Sequence, residues 1–511
     1  MPKLWSFLRV FCVYNLIKLN DKLKENSMNI KRTLAISIAA LILTVSACYA
    51  QKASAPKSVA LTVYNAGFAL VKDTRNITLI KGVNSLEIVD VAAKIDPTSI
   101  LFKSLTAPNS VSLLEQNYQY DLISPNSILD KSIGQFVTFT GFDSNGKPFT
   151  QSGVLLSSYK NGGIVIKTYN GSLVMNPQGQ VSTEKMPEGL RSTPTLNWLL
   201  QSDTAGDQQA EISYMTNGIG WKADYVALVN KDDTKLDLAG WVSLNNQSGT
   251  TYHDAKLTLM AGDVRRTQSY DTDNFDMKGN MEMRAAAAPA FQEKSFFEYH
   301  MYTMQRPTTI RDNETKQLSL LNASNAGVTK ELIYDARGDW WRSWWYPGRT
   351  ELDPGGGYDT SNYHKVNVVL ELKNSKENGM GMPLPKGKIS VYKLDDDGSQ
   401  QFIGDDQIDH TPKDEKVRLY IGDSFDVVGD YKRVDYKKIS NNTIEESFQV
   451  NIRNHKESAV DVKVVDHVWS DWKVTSTSHK FEKKDAHTIE FPVKVPANGE
   501  VEVTYTIRTK W

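Results

Sequence analysis

From residue 58 to the end of the chain, apolar and polar residues alternate with a period of two in short runs, and turn-forming residues break those runs. Successive side chains of a β-strand point to opposite faces, so each such run buries one face and wets the other. Val59, Leu61 and Val63 alternate with Ser58, Ala60 and Thr62, the turn Asn65-Ala66-Gly67 follows, and Phe68 opens a return strand. Near the end, Ile489, Phe491, Val493 and Val495 point one way while Glu490, Lys494 and Pro496 point the other. One apolar and one wet face per strand is the pattern of a β-sandwich. No heptad repeat occurs.

Residues 134–200 are punctuated more tightly. Short apolar runs are separated by Asn145-Gly146, Asn161-Gly162 and Asn170-Gly171, the strongest local hairpin signal. This density predicts a small closed β-barrel. The fold class expected for the whole chain is all-β and multi-domain: immunoglobulin-like β-sandwiches with a small N-terminal β-barrel. The divisions drawn are an N-terminal β-domain over 57–133, the barrel over 134–200, a central sandwich over 205–375 and a C-terminal sandwich over 376–511. Residues 270–292 lack periodicity and read as a mobile loop of the central sandwich. At about 150 residues per domain, 511 residues accommodate this plan.

The first fifty residues are of another kind. Met28 is followed by Lys31 and Arg32 and then by the apolar stretch Leu34–Val45, which is too short to span a bilayer as a helix. Residues 28–50 thus read as an export signal, and residues 1–27 as an upstream misread or an extension. Val45-Ser46-Ala47-Cys48 has the pattern of a lipidation box that would make Cys48 the first mature residue. Cys48-Tyr49-Ala50 before Gln51 also suits ordinary signal cleavage. Both readings place the mature protein outside the cytoplasm, in the periplasm, at the outer membrane or at the cell surface.

Composition excludes several chemistries. Lys and Arg total 59 against 60 Asp and Glu, a net charge of -1, and no basic run stands out, so nucleic acid is not an expected partner. The two Cys, Cys12 and Cys48, both precede residue 50, which leaves the body without a disulfide, a Cys-ligated metal or a thiol nucleophile. All eight His lie between His253 and His487, with no metal-binding helical spacing, and no cofactor or metal is expected. His253-Asp254, Asp409-His410 and Asp466-His467 pair an acid with an imidazole in sequence, but strand neighbours face opposite ways and are not dyads. No Gly-x-Ser-x-Gly elbow nominates a serine nucleophile. Asp271, Asp273 and Asp276, and likewise Asp395-Asp396-Asp397-Gly398, have the carboxylate density of a weak Ca²⁺ site, although the second group is more simply a hairpin turn.

Many separate motifs resemble, in order, the family called domain of unknown function 4139. They include Glu211 through Trp221 to Tyr225, Gly240-Trp241, Asp254 to Leu259, and Phe297-Glu298-Tyr299-His300. Arg306-Pro307, Pro383-Leu384-Pro385-Lys386-Gly387, His410-Thr411-Pro412 and Ile421-Gly422 continue the series. Tyr64-Asn65 and Ile95-Asp96-Pro97 look like the N-terminal part of the same proteins. The resemblance implies β-sandwiches of the bacterial envelope and implies no reaction. Relatives described as mucoidy-inhibitor-like carry a coiled coil between the two parts, where this chain has the expected small barrel.

One cluster stands apart from the alternation. Trp340, Trp341, Arg342, Trp344 and Trp345 fall within six residues, between Gly338 and Pro347-Gly348. Neither a strand nor a helical turn hides all four indoles, and Trp and Arg dominate binding hot spots. The expected function is therefore a binding or structural module of the cell envelope. Its partner would be a glycan or an envelope protein, met at this cluster unless the loop folds back as a lid. The alternative is an envelope hydrolase with a triad dispersed in sequence.

Overall fold

The computed structural model describes residues 51–266, 291–336 and 364–511. Strands account for 65% of it and helices for 4%, so the protein is all-β, as the alternation predicts. The strands form four sheets of four, five, eight and thirteen strands. Strand Thr443–Asn454 alternates half-buried and buried residues along its whole length, and Ile489, Phe491, Val493 and Val495 are all buried.

The sheets gather strands from distant parts of the chain. In the eight-stranded sheet, Ser58–Tyr64 pairs antiparallel with Phe68–Leu79 and parallel with Tyr252–Ala261. Phe68–Leu79 pairs in full register with Gly206–Asn217, and the hairpin Phe291–Phe296 and Tyr299–Met304 joins through Tyr252–Ala261. One hydrophobic core runs from Ala53 to Leu419 and includes Trp198, Tyr225 and Tyr302. A second lies between Leu332 and Ile507, around Phe448, Phe491 and Tyr505. Strand Glu314–Asp335 joins the two, pairing first with Lys235–Asn246 and then with Lys365–Lys373 and Val460–His467.

The interval after residue 134 corrects one expectation. Its five strands form an open sheet, not a closed barrel. The end strands Leu173–Met175 and Gln180–Thr183 each pair only inward, with Val165–Thr168 and Phe136–Phe142 respectively. Strands of three and four residues supply too short a ladder to wrap and meet. The small core has six buried residues, five from the sheet region and Leu129 from the helix Pro125–Lys131. That helix starts at a Ser124 N-cap whose side chain accepts from Ser127 N, with Pro125 at the first helical position.

Candidate functional site

Four of the sequence motifs meet at one end of the eight-stranded sheet. Parallel pairing of Met260 with Tyr64 sets the end of Tyr252–Ala261 beside the Asn65–Gly67 turn. Antiparallel pairing of Ala261 with His300 and of Met260 with Met301 brings the Tyr299 hairpin alongside. The loops around Lys386 and His410 close the seam with the facing sheet. Tyr302 donates to Pro383 O at 2.9 Å and Tyr225 to Pro385 O at 2.8 Å, fixing the Lys386 loop from beneath. Trp221 Nε1 donates to Met260 O at 3.3 Å, and its ring meets that of Tyr302 edge-on at 6.3 Å.

The outer face of this end is aromatic. Tyr64 stacks on Phe68 with centroids 4.3 Å apart, and the Arg266 guanidinium lies 4.5 Å from the centre of the Phe68 ring. Arg266 is held in turn by Asn217 Oδ1 at 3.1 Å. Tyr64 and Tyr299 are near enough that burial, then the neighbouring phenol, raise the pKa of Tyr64. Gly262 makes room for Tyr299: a Cβ there would lie 2.4 Å from the Tyr299 ring. Tyr299 also meets Phe297 with centroids 6.1 Å apart.

Phe297 is the anomaly. It is the first residue of the two-residue turn between Phe291–Phe296 and Tyr299–Met304, has φ +55, and is 81% exposed. Left-handed backbone in such a turn favours Asn or Gly and costs a bulky residue roughly 1–2 kcal/mol. An exposed ring recovers little of that by burial. Phe296 beside it is also exposed, which leaves two phenyl groups at one hairpin tip.

The same end also carries polar and charged groups. His300 Nδ1 lies 2.8 Å from Glu293 Oε1, and Lys386 Nζ lies 2.9 Å from Asp263 Oδ1. The Lys386 hydrogen bond and charge hold the Asp263 carboxyl below its usual range. The Lys386 backbone N–H donates to His410 Nδ1 at 3.2 Å, so that nitrogen carries no proton. The proton of the neutral ring then sits on Nε2, and Asn65 Nδ2 lies 3.4 Å from that nitrogen. Burial first, and then the Lys386 ammonium, hold the His410 pKa below 6.5. A depressed histidine pKa means that the unfolded chain binds the extra proton first as pH falls. His410 therefore contributes stability that is complete above about pH 6.5 and is lost as pH falls through its folded value. His410→Gln is expected to flatten this part of the stability profile in denaturant titrations between about pH 7 and 5. An unchanged slope would show that the ring is not the titrating group.

A second acid–imidazole pair lies in the other core. His467 Nε2 is 3.2 Å from Asp335 Oδ2, and the two side chains are 7% and 0% exposed. The sequence neighbour Asp466 turns away, accepting from Tyr505 Oη at 2.7 Å and from the His467 backbone N–H at 2.8 Å. The acid facing the imidazole thus comes from another strand. Ser470, three residues on, donates its hydroxyl to Lys510 O at 2.7 Å.

Trp340, Trp341, Arg342, Trp344 and Trp345 lie outside the described residues, as do Cys48 and the carboxylates Asp271, Asp273 and Asp276. The loop read over 270–292 also falls outside them up to residue 290, and Phe291 and Gln292 begin a strand. Asp395–Gly398 is a hairpin turn, closed by Asp395 N donating to Ser399 O at 2.8 Å. Among the described residues no group of three or more His, Cys, Asp or Glu is placed to hold a metal, and no helix is long and apolar enough to cross a membrane. Sequence reading singled out no site among Tyr64, Phe68, Phe297 and Tyr299. Their signal was membership of two motifs, Tyr64-Asn65 and Phe297–His300, whose meeting depends on strand register.

These observations define the class: an all-β protein of several sheets, with an aromatic surface and a polar seam at one sheet end. The family described as domain of unknown function (DUF4139) matches residues 210–511, more than half of the chain, and the protein belongs to that family. Among curated proteins none matches the chain.

Proposed function

We propose that the protein is an exported component of the bacterial envelope, anchored through a lipidated Cys48, that binds glycan at the Phe297–Tyr299–Tyr64 surface. The observation that carries this reading is Phe297. An aromatic side chain kept in unfavourable backbone at an exposed tip does not serve folding, and strain of this kind gathers at functional sites. Aromatic faces stack on the apolar faces of sugar rings, while Glu293, His300 and Asn65 offer hydrogen-bonding groups beside them. Lys386 and Asp263 offset each other's charge at this end, which suits a neutral ligand better than a strongly charged one.

The hydrolase alternative would centre on Asp335 and His467. Their burial and the engagement of Ser470 elsewhere fit a cross-strand tie better than a site that meets substrate.

Phe297→Asn separates binding from folding. Asn tolerates left-handed backbone, so the variant should be as stable as the parent or gain up to about 1 kcal/mol. Co-sedimentation with purified cell-wall sacculi should fall severalfold. Full retention on the sacculi would refute a role for the tip. In the same cells, Cys48→Ala should move the protein from the membrane fraction to the soluble envelope fraction, and an unmodified N-terminus at Gln51 would remove the lipid anchor from the proposal.

A further inference from the structure

The aromatic end shares a sheet face with a second feature. At the far end of the strand pair Phe68–Leu79 and Gly206–Asn217 lies a trough of about 770 Å³ lined entirely by polar residues. It forms where residues 51–54 cross from the four-stranded to the eight-stranded sheet. Gln51 and Lys52 pair with Leu86 and Glu87 of one sheet. Ser54 N donates to Asn76 O at 3.2 Å, and Asn76 N donates to Ser54 Oγ at 3.0 Å, on the other. The floor is made by two cross-strand pairs, Asn76 opposite Gln209 and Thr78 opposite Asp207.

Strand parity places both ends on one face. Phe68, Asn76 and Thr78 are separated by even numbers of residues, as are their partners Asn217, Gln209 and Asp207, so all six point to the same side. On that side Tyr64 stacks on Phe68 and the Arg266 guanidinium lies over its ring. Phe68 and Asn76 are eight residues apart, roughly 27 Å along a strand. Between them the face carries Leu70, Lys72 and Thr74 opposite Met215, Ser213 and Glu211.

We infer that the ligand is an extended glycan chain that lies along this face, stacked at the aromatic end and hydrogen-bonded in the trough. The inference rests on the glycan-binding reading above. The side-chain amides of Asn76 and Gln209 make no hydrogen bond to the described residues. Amides donate and accept at once, which matches the hydroxyl and acetamido groups of a neutral sugar. The trough holds one acid, Asp207, and one base, Lys52, and Asp207 already accepts from Thr78 at 2.6 Å. It has no aromatic ring to supply affinity alone, so it acts as the second contact of a ligand already held at the first. Two weak contacts joined by one ligand multiply in affinity only when the ligand reaches both.

The test is calorimetric titration of the full chain with a wall-derived disaccharide and with purified glycan strands longer than the ~27 Å span. The long strands should bind at least about tenfold more tightly. The double variant Asn76→Ala with Gln209→Ala should remove that gain and leave disaccharide affinity unchanged. The Asn76 and Gln209 side-chain amide resonances should shift with long strands and stay fixed with the disaccharide. Equal affinity for both lengths, or a double variant that keeps the gain, overturns the extended site and leaves the aromatic site standing. Failure of the unaltered protein to bind either length overturns the aromatic site itself.

Discussion

Replacing Arg75 with methionine is expected to destabilise the fold by about 3–5 kcal/mol. The Arg75 and Asp73 side chains, 0% and 3% exposed, share the inner face of strand Phe68–Leu79. Arg75 Nε lies 3.0 Å from both Asp73 oxygens, its Nη2 lies 2.7 Å from Oδ2, and Nη1 donates to Val89 O at 2.7 Å. Burial pushes the Asp73 pKa up even with the guanidinium present, so the charge depends on its partner. Without Arg75 the carboxylate is buried unpaired, or it takes a proton. The pH profile tells these apart. A raised carboxyl pKa gives stability that is present at low pH and lost as pH rises, so the deficit of the variant should grow from acid to neutral pH. Adding Asp73→Leu should recover much of the loss, since an apolar pair of similar volume is often tolerated where a lone buried charge is not. Urea denaturation of the single and double variants checks both statements, and a double variant no better than the single would show that the pair supplies shape rather than charge balance.

Val493→Asp should be comparably severe. Val493 is 3% exposed and sits opposite Val462, itself buried, between Phe491 and Val495 on the same face. Its neighbours in the second core, Val462, Val464, Phe491 and Val495 among them, are apolar, so the new carboxylate would be buried without compensation, at a cost of several kcal/mol. Lys494→Gln, one residue on and facing water, should change stability by no more than about 0.5 kcal/mol. Equal effects at the two positions in thermal unfolding would mean that the inward face is misassigned.

The contrast between these neighbours shows what a linear sequence makes plain. Alternation needs only local information, and it correctly turned Ile489, Phe491, Val493 and Val495 inward. Closure of the five-stranded sheet is not local. It depends on whether Leu173–Met175 and Gln180–Thr183 are long enough to find each other, and Asn-Gly turns say nothing about that. The helix Pro125–Lys131 carried its cap signal in Ser124-Pro125, but seven residues show too little periodicity to read. At the site, Tyr64 and Tyr299 are 235 positions apart and meet through a parallel pairing that no motif encodes. The buried partner of His467 was likewise invisible, because Asp335 lies 132 positions away while Asp466 stands adjacent and faces elsewhere.

Strand Glu314–Asp335 carries a consequence for how this family tolerates insertions and deletions. A one-residue slip in a strand turns every later side chain to the opposite face. The first half of this strand is in register with Lys235–Asn246 and the second half with Lys365–Lys373 and Val460–His467. A change in its length would therefore invert one core or the other, whichever half kept its pairing. The exceptions are the two places where the register already shifts, opposite Leu236–Leu238 and opposite Gly240–Trp241. At the first of these Asn325 takes left-handed backbone and its N–H donates to Asp237 Oδ1 at 2.8 Å, a bulge with its own anchor. This geometry predicts that a change of strand length is tolerated at the bulges alone, since the span from there to Asp335 is held by two cores at once.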